Sequence, residues 1–292
     1  MKKNLFVASL AVAVSFASCN LPEDDVLEPD LEKIPINLSM DVRTKATDSE
    51  FETGDKVGVY VVNMDGNAPG TLLSTGNHYD NVCMTKSATG WNLPEQMFWL
   101  NKETPAEFYC YYPYDETVSD VNAYPLSVAS DQSYESAYYA SDFLWGKTEL
   151  IGPQSSTVNV SVSHMMSCIN MEIYGGGFDS FKINEVTINN VKTSGTIDLA
   201  TGKVTPTSSG STTVTPYGDY SDYRAIILPQ TVSYYEIVVY VNYIRYVFSG
   251  SSFTFEPGVM YDFSIKVENS TQSLSASIKS WSIKDGYGGY AQ

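Results

Sequence analysis

Apolar and polar residues alternate along most of the chain with a period of two. The clearest case is residues 34–42, where one face is apolar and the other carries Pro, Asn, Ser and Asp. Residues 260–267 show the same alternation. A period of two places successive side chains on opposite faces of a β-strand, so both segments are predicted strands. The apolar face of the first one consists of Ile34, Ile36, Leu38, Met40 and Val42.

Turn-forming clusters of Gly, Ser, Thr, Asn and Pro separate the other predicted strands. These strands are 56–62, 107–112, 157–162, 168–174, 181–188, 224–228, 235–241, 244–248 and 274–283. No segment has convincing helical periodicity, and many short strands between turns predict an all-β chain of antiparallel sandwiches or barrels. Pro35 cannot donate a ladder hydrogen bond, which places the first strand at a sheet edge. The glycines at 175–177 mark the predicted boundary between two domains, 34–175 and 176–292.

Charge and composition narrow the possible partners. The chain has 292 residues, 17 Lys and Arg against 34 Asp and Glu, and a formal net charge of -17. This acidity disfavours binding to nucleic acid or to anionic membrane surfaces. Only two histidines are present and no CxxC pair, so we expect no metal and no cofactor.

The N-terminus has the pattern of an export signal. Lys2 and Lys3 precede an apolar run at 5–18, which is too short to span a bilayer as a helix. Residues 1–18 are therefore a predicted signal peptide. Its last residues, Phe-Ala-Ser before Cys19, resemble a bacterial lipobox, so Cys19 is predicted to become a diacylated, palmitate-bearing N-terminus. An ordinary signal peptide followed by an incidental Cys is the alternative. Residues 19–33 form an acidic tether.

Three cysteines remain beyond the predicted lipidation site. Cys83, Cys110 and Cys168 could form at most one disulfide, and their spacing selects no pair. Each has apolar or aromatic neighbours, so we expect buried free thiols.

The catalytic motifs sought in the chain are missing: it contains no GxSxG, HExxH, GxxxxGK[ST] or dinucleotide fingerprint. His164 lies in a strand pattern and is interpreted as structural rather than as a base. We therefore predict no enzyme, with a hydrolase on a β-sandwich as a remote alternative. Tyrosine-rich stretches at 109–114, 134–139, 217–223 and 287–290 are typical of packed strand faces, although exposed rings could stack on sugars or proteins.

Five short sequence pieces are spread over the chain after the leader. The opening piece is FETGDKVGVY at 51–60, and it is preceded by Arg43. The others are FYCYYPY at 108–114, SDFLWG at 141–146, residues 160–173, and FEPGVMYDFSI at 255–265, with a late Trp281. Together they cover nearly the whole chain after the leader, and in kind and order they resemble the Bacteroidetes fimbrillin family.

The resemblance implies two tandem transthyretin-like antiparallel β-sandwich domains in a surface lipoprotein that assembles into fimbriae. In the family, a protease cuts after an Arg or Lys beyond the first strand, and a strand of the next subunit fills the exposed groove. Carried over to this chain, the cut would follow Arg43 or Lys45, and residues 34–42 would be the displaced strand. The alternative is that Arg43 ends an ordinary first strand that is never cut.

The resemblance also implies partners and location. The partners would be other fimbrial subunits, and the acidic tract after Cys19 resembles the signal that sends lipoproteins to the outer face of the outer membrane. The terminal segment 274–283 changes face between Ile278 and Trp281, so it is not a clean donor strand. Stalk, tip and accessory positions therefore stay open. The alternative function is a non-polymerising surface lipoprotein that binds a glycan or a host protein.

Overall fold

The structure, a computed structural model, describes residues 33–42, 51–154, 156–207 and 210–268, together with the backbone of 272–280. Strands account for nearly all of its regular structure, and α1 has only five residues. The elements are β1 Leu38–Val42, β2 Lys56–Asp65, β3 Ala68–Pro69, β4 Tyr79–Ser87, β5 Gly90–Asn92, β6 Ala106–Tyr112, β7 Tyr124–Ser127, α1 Glu135–Tyr139, β8 Leu144–Lys147, β9 Val158–His164, β10 Ser167–Gly176, β11 Ile183–Val191, β12 Ser194–Asp198, β13 Lys203–Pro206, β14 Thr212–Val214, β15 Tyr217–Asp219, β16 Asp222–Ile227, β17 Gln230–Val232, β18 Tyr235–Val241, β19 Ile244–Gly250, β20 Phe253–Phe255, β21 Val259–Glu268 and β22 Gln272–Ser280. The predicted all-β fold is confirmed.

Two large groups of strands follow one another along the chain. The first is an eight-stranded sheet in the order β1-β9-β8-β6-β2-β4-β5, with β3 beside β2. The second comprises a five-stranded sheet, β15-β16-β10-β21-β22, and a four-stranded sheet, β14-β11-β18-β19. Most neighbouring strands are antiparallel, but β1 pairs with β9 in parallel and so does β10 with β21.

A small three-stranded sheet ties the two groups together. In the order β13-β12-β7, it joins β7 from the first half of the chain to β12 and β13 from the second. The predicted domain boundary after residue 175 falls within the last residues of β10. The division into two domains stays a prediction.

Three clusters of buried apolar side chains form the core. One lies between the five- and four-stranded sheets and includes Ile173 of β10, Ile237 of β18 and Phe263 of β21. A second packs around Tyr111 and Met166, where the two groups of strands meet. The third lies beneath β1, β2, β6 and β9 and is the one that matters for the site below.

Strand β4 was not predicted, and its pairing explains why. Its register with β2 shifts between Val59 and Val61, and Asn81, the third residue of β4, has a φ of 42°. A bulge of this kind inserts an extra residue and breaks the two-residue alternation on which the prediction depended. The pattern therefore shows no strand although the backbone pairs.

The three cysteines that the structure describes are free thiols. Cys110 and Cys168 are fully buried, as predicted, and burial raises the pKa of the Cys110 thiol so that it stays protonated. Cys83 is only half-buried, so the expectation of burial is wrong for this residue. It lies on β4 opposite Gly58, in the irregular ladder described above.

Candidate functional site

Strand β1 occupies one edge of the eight-stranded sheet. Its five residues pair in parallel with β9, from Leu38 opposite Val158 to Val42 opposite Val162. The amide of Val158 also donates to the carbonyl of Asn37 at 2.8 Å. The edge position predicted from Pro35 is confirmed, because β9 is the one strand with which β1 shares a ladder in the part of the chain that the structure describes.

The residues just before β1 are hydrogen-bonded to a second stretch of chain. The amide of Ile36 donates to the carbonyl of Met97 at 2.8 Å, and the amide of Trp99 donates to the carbonyl of Ile34 at 3.0 Å. Pro35 forms an antiparallel bridge with Phe98 between these two bonds. The segment 34–42 therefore begins on the 97–99 stretch and continues along β9.

Two side chains reach the backbone of this segment from the side away from β9. Gln96 Nε2 donates to the carbonyl of Ile36 at 3.0 Å, and Trp91 Nε1 donates to the carbonyl of Met40 at 3.2 Å. Trp91 belongs to β5, which lies at the opposite end of the sheet order from β1. The two ends of the sheet thus approach each other, and β1 closes the space between them.

The inward face of the segment covers an apolar groove. Ile36, Leu38 and Met40 are buried, whereas Ile34 and Val42 are half-buried and pack at the margin of the same cluster. The predicted alternation is confirmed, with burial weakening at both ends. We call the surface under these side chains the first-strand groove; it is lined by Val57, Val59, Met84, Phe108, Val158, Val160 and Val162.

Burial of the three central side chains contributes about 5–9 kcal/mol of gross hydrophobic free energy, at about 1.5–3 kcal/mol for each. The conformational entropy lost in ordering the segment opposes this gain. The net free energy that holds the segment in place is therefore smaller than this gross value.

The predicted protease sites Arg43 and Lys45 lie outside the described residues, which resume at Phe51. The ring of Phe51 packs edge-on against Trp91, with 4.9 Å between centroids, and against Tyr112, with 5.5 Å. Beyond it, Tyr112 OH donates to Asp55 Oδ1 at 3.2 Å, and burial together with Asp55 raises the pKa of Tyr112 to about 12. The chain that follows residues 43–50 is thus held by contacts with β5 and β6, and one of these partners, Trp91, is also hydrogen-bonded to β1.

The chemistry elsewhere in the described part of the chain is that of a packed scaffold. His164 is buried, and its Nδ1 lies 2.7 Å from Oδ2 of Asp142, which is the environment expected of a structural histidine. Within the described residues, no group of three or more His, Cys, Asp or Glu side chains is placed to hold a metal, and no helix is long and apolar enough to cross a membrane. Cys19 and all of the predicted acidic tether 19–33 except Lys33 lie outside the described residues.

Sequence reasoning found the segment itself but missed the groups that hold it. Trp91 and Gln96 are 51 and 60 residues away from the carbonyls that they bind. Nothing in their local sequence marks them as partners of a first strand. The tyrosine-rich stretches also divide in a way that the sequence did not show: Tyr109 and Tyr111 are buried, whereas Tyr134 and Tyr220 are exposed.

Known proteins resemble this chain over most of its length. A family model described as fimbrillin-like matches residues 44–281 and thus begins directly after Arg43. A protein from Bacteroides uniformis named as a candidate fimbrium subunit, Fim1C, is 23% identical over 241 residues, which are 78% of this chain and 76% of the relative.

Solved structures share the fold at lower identity. A candidate cell adhesion protein from Bacteroides uniformis has a TM-score of 0.69 at 20% identity, covering 86% of this chain and 99% of its own. A second candidate cell adhesion protein, from Bacteroides ovatus, has a TM-score of 0.67 at 17% identity, with 87% and 99% covered. A fimbrial protein from Bacteroides vulgatus has a TM-score of 0.54 at 10% identity, with 85% and 99% covered. The all-β architecture and the family match lead to one conclusion: the chain belongs to the Bacteroidetes fimbrillin-like family.

Proposed function

We propose that this protein is a structural subunit of a fimbrium on the bacterial cell surface, assembled by strand exchange after proteolysis and supporting adhesion. The observation that carries the proposal is the position of the segment 34–42, an edge strand over an apolar groove. Family membership and the fimbrial and adhesion names of the similar proteins support the same function.

Removal of the segment would leave two kinds of unpaired surface. The free edge of β9 would present backbone groups for a new strand, and the first-strand groove would present pockets for alternate side chains. A strand from a second subunit with apolar residues at every second position fits both requirements. Fimbrial subunits, of this chain or of a relative, are therefore the proposed partners.

A cut within residues 43–50 leaves the contacts of the segment 34–42 unchanged but makes its dissociation more favourable. While residues 43–50 are intact, the strand is held at a high effective concentration next to its groove. After a cut at Arg43 or Lys45, the segment dissociates as a separate peptide, and its small net stability no longer retains it. Because Phe51 packs against Trp91 and Tyr112, we expect the chain from residue 51 onwards to stay folded after the cut.

The proposed location is the outer membrane and the fimbrium. Diacylated Cys19 would anchor the precursor, because two acyl chains are needed for stable anchoring, and the acidic tether would hold the folded part away from the membrane. Replacement of Cys19 by Ser should release or mislocalise the protein. Unchanged membrane fractionation of this variant would disprove the anchor.

Trypsin treatment of the precursor without residues 1–19 tests the assembly mechanism. Mass spectrometry should show release of a peptide ending at Arg43 or Lys45, and size-exclusion chromatography should then show oligomers. The variant with Arg43→Ala and Lys45→Ala should remain monomeric, whereas a control with Lys56→Ala and Lys203→Ala should assemble like the parent. Assembly of the Arg43 and Lys45 variant, or a monomeric trimmed protein, would rule out strand exchange.

A synthetic peptide of residues 34–43 provides a second test. Added in excess during trimming, it should refill the first-strand groove and suppress oligomers, because it restores the original contacts. A peptide with Leu38→Asp and Met40→Asp should have no effect, since charged side chains cannot enter the groove without a large desolvation cost.

The alternative function is a surface lipoprotein that binds a glycan or a host protein without polymerising. Highly exposed tyrosines in the second half of the chain favour a binding role. A trimmed protein that stays monomeric but still binds a ligand would support this alternative over the fimbrial subunit.

A further inference from the structure

Two hairpin tips in the second half of the chain carry highly exposed tyrosines. Tyr220 lies in the two-residue turn between β15 and β16 and is 86% exposed. Tyr243 lies in the two-residue turn between β18 and β19 and is 82% exposed. Large aromatic side chains are rarely left this open, because exposure forfeits their hydrophobic contribution to folding.

Both tyrosines have a backbone conformation that does not suit them. Their φ angles are +49° and +64°, in the left-handed region that favours glycine. Asn242 also has a positive φ, so the β18–β19 turn has the geometry for which Asn-Gly is the preferred pair. Glycine at either position would relieve backbone strain, so folding does not account for these tyrosines. Strain of this kind concentrates at functional sites.

The topology brings the two tips to the same end of the molecule. At the first tip, the amide of Ile173, near the end of β10, donates to the carbonyl of Ser221 at 2.7 Å. At the second tip, the amide of Asn242 donates to the carbonyl of Lys182, just before the start of β11, at 2.9 Å. Since only residues 177–182 separate β10 from β11, both tips flank this connection.

This end faces away from the first half of the chain. The opposite end of β10 is the one that contacts the first half: the amide of Met165, just before β10, donates to the carbonyl of Phe143 at 2.8 Å, and Gln132 Nε2 donates at 2.8 Å to the carbonyl of Ile226, the residue paired with Cys168. The five- and four-stranded sheets enclose a common core, with the β15–β16 hairpin at one edge of the first sheet and β19 in contact with β22 at its other edge. With about 5 Å between neighbouring strands and about 10 Å between packed sheets, the two tips are on the order of 15–20 Å apart. An extended oligosaccharide can span this distance.

Two further exposed side chains extend the surface. Tyr174, near the end of β10, is exposed, and so is Ile244, directly after the second tip. We call this surface the tyrosine tip; it consists of Tyr174, Tyr220, Tyr243 and Ile244. Its neighbours in sequence include Gly175, Asp219, Ser221 and Asn242, and small polar residues of this kind recur beside rigid aromatic rings in binding loops.

The charges around the tyrosine tip select the class of ligand. The acidic side chains are more numerous than the basic ones, and the basic Lys266 is ion-paired with Glu268. An acidic surrounding repels sialylated and sulfated glycans, whereas carboxylates accept hydrogen bonds from sugar hydroxyls. The acidic side chains at this end are Glu172, Asp179, Asp219, Asp222 and Glu268, and the basic ones are Lys182, Arg245 and Lys266.

The extent of the tyrosine tip favours a sugar over a protein. A stable protein interface uses about 20–30 residues on each side, far more than the two tips and Tyr174 provide. A tyrosine ring, in contrast, matches the apolar face of a single sugar ring, and its hydroxyl can bond to a neighbouring sugar hydroxyl. Three rings at one end suit a short run of sugar units.

We propose that the tyrosine tip is a binding site for a neutral glycan, in which the rings of Tyr220 and Tyr243 stack on sugar units. The site does not depend on strand exchange, because no residue of the first-strand groove belongs to it. The monomeric precursor therefore suffices for the test, and failure of one proposal leaves the other intact.

The test is an array of neutral, sialylated and sulfated oligosaccharides probed with the precursor without residues 1–19. We expect binding to neutral oligosaccharides, which the Tyr220→Ala, Tyr243→Ala double variant should weaken by about ten-fold or more. Tyr234 is the matched control, because it is 49% exposed but lies at the opposite end of β18; Tyr234→Ala should bind like the parent.

A stability measurement separates lost contacts from misfolding. Tyr243→Gly should abolish stacking by this ring and raise the Tm by about 2–4 °C, since it converts Asn-Tyr into the preferred Asn-Gly turn. Weaker binding with a higher Tm cannot be explained by unfolding. The proposal is overturned by full binding of the double variant, by absence of binding to every neutral oligosaccharide, or by equal binding to anionic ones.

Discussion

Strands β1 and β10 each pair in parallel with another strand, but their positions in the sheets differ. β1 shares five residue pairs with β9, and on its other side Trp91 Nε1 donates to the carbonyl of Met40, while no second ladder is formed there by the residues that the structure describes. β10 shares nine pairs with β21 and a further six, antiparallel, with β16. One is an edge strand and the other lies in the middle of its sheet.

The difference shows that pairing direction does not decide whether a strand can be exchanged. Withdrawal of β10 would break two ladders and open the core shared by two sheets. Withdrawal of β1 would break one short ladder and open a groove that another strand can refill. What matters is whether the second edge of the strand is also paired, and the following substitutions test this contrast.

The largest effect is expected at Ile173 of β10. Ile173 is fully buried between two sheets, so Ile173→Ala should reduce the free energy of unfolding by about 2–5 kcal/mol. Urea denaturation of the intact and the trypsin-trimmed protein should give the same loss, because β10 stays in place in both. A loss confined to the intact protein would contradict the comparison.

Met40→Ala in β1 should have a smaller effect that depends on the covalent link. We expect a loss of about 2 kcal/mol in the intact protein, at the lower limit for a buried methionine, because an edge site can relax. In the trimmed protein the substitution should have no effect, since the strand is gone. Ser39→Ala, on the same strand but facing away from the groove, is the control and should change little in either form.

Substitution of Tyr124 tests β7, the strand through which the first group of strands is joined to the second. Its hydroxyl donates to Asp115 Oδ2 at 3.2 Å, so Tyr124→Phe should cost about 1 kcal/mol at neutral pH. Burial, with a contribution from Asp115, raises the pKa of Tyr124 from 10.0 to about 12. Above pH 10 the unfolded chain loses this proton while the folded chain keeps it, so stability falls as the pH rises towards 12. The Phe variant should show a shallower alkaline decline, measured by urea denaturation across this range.

The smallest effect is expected at the outer face of the β1 ladder. Ser161 Oγ lies 3.3 and 3.4 Å from the two carboxylate oxygens of the exposed Asp41. Ser161→Ala should change the free energy of unfolding by no more than about 0.5 kcal/mol and should leave the rate of assembly unchanged. A larger effect would mean that polar contacts, rather than apolar burial, hold the first strand.

The sequence by itself determined the local features of this protein. Alternation in residues 34–42 and 260–267 predicted strands and their buried faces, because the period of two is a property of the backbone itself. Pro35 predicted an edge, because a missing donor excludes a central position. Family resemblance also followed from short motifs in order along the chain.

The tertiary structure decided which distant segments meet. The parallel partners β9 and β21, the donors Trp91 and Gln96, and the bulge in β4 depend on contacts across many residues, and no local pattern encodes these partners. The same holds for Tyr220 and Tyr243, which the sequence places in two unrelated stretches. The β15–β16 turn with Tyr220 and the β18–β19 turn with Tyr243 lie at one end because these hairpins pair with β10 and β11. The direction of the strand with which a hairpin pairs sets the end at which its turn lies.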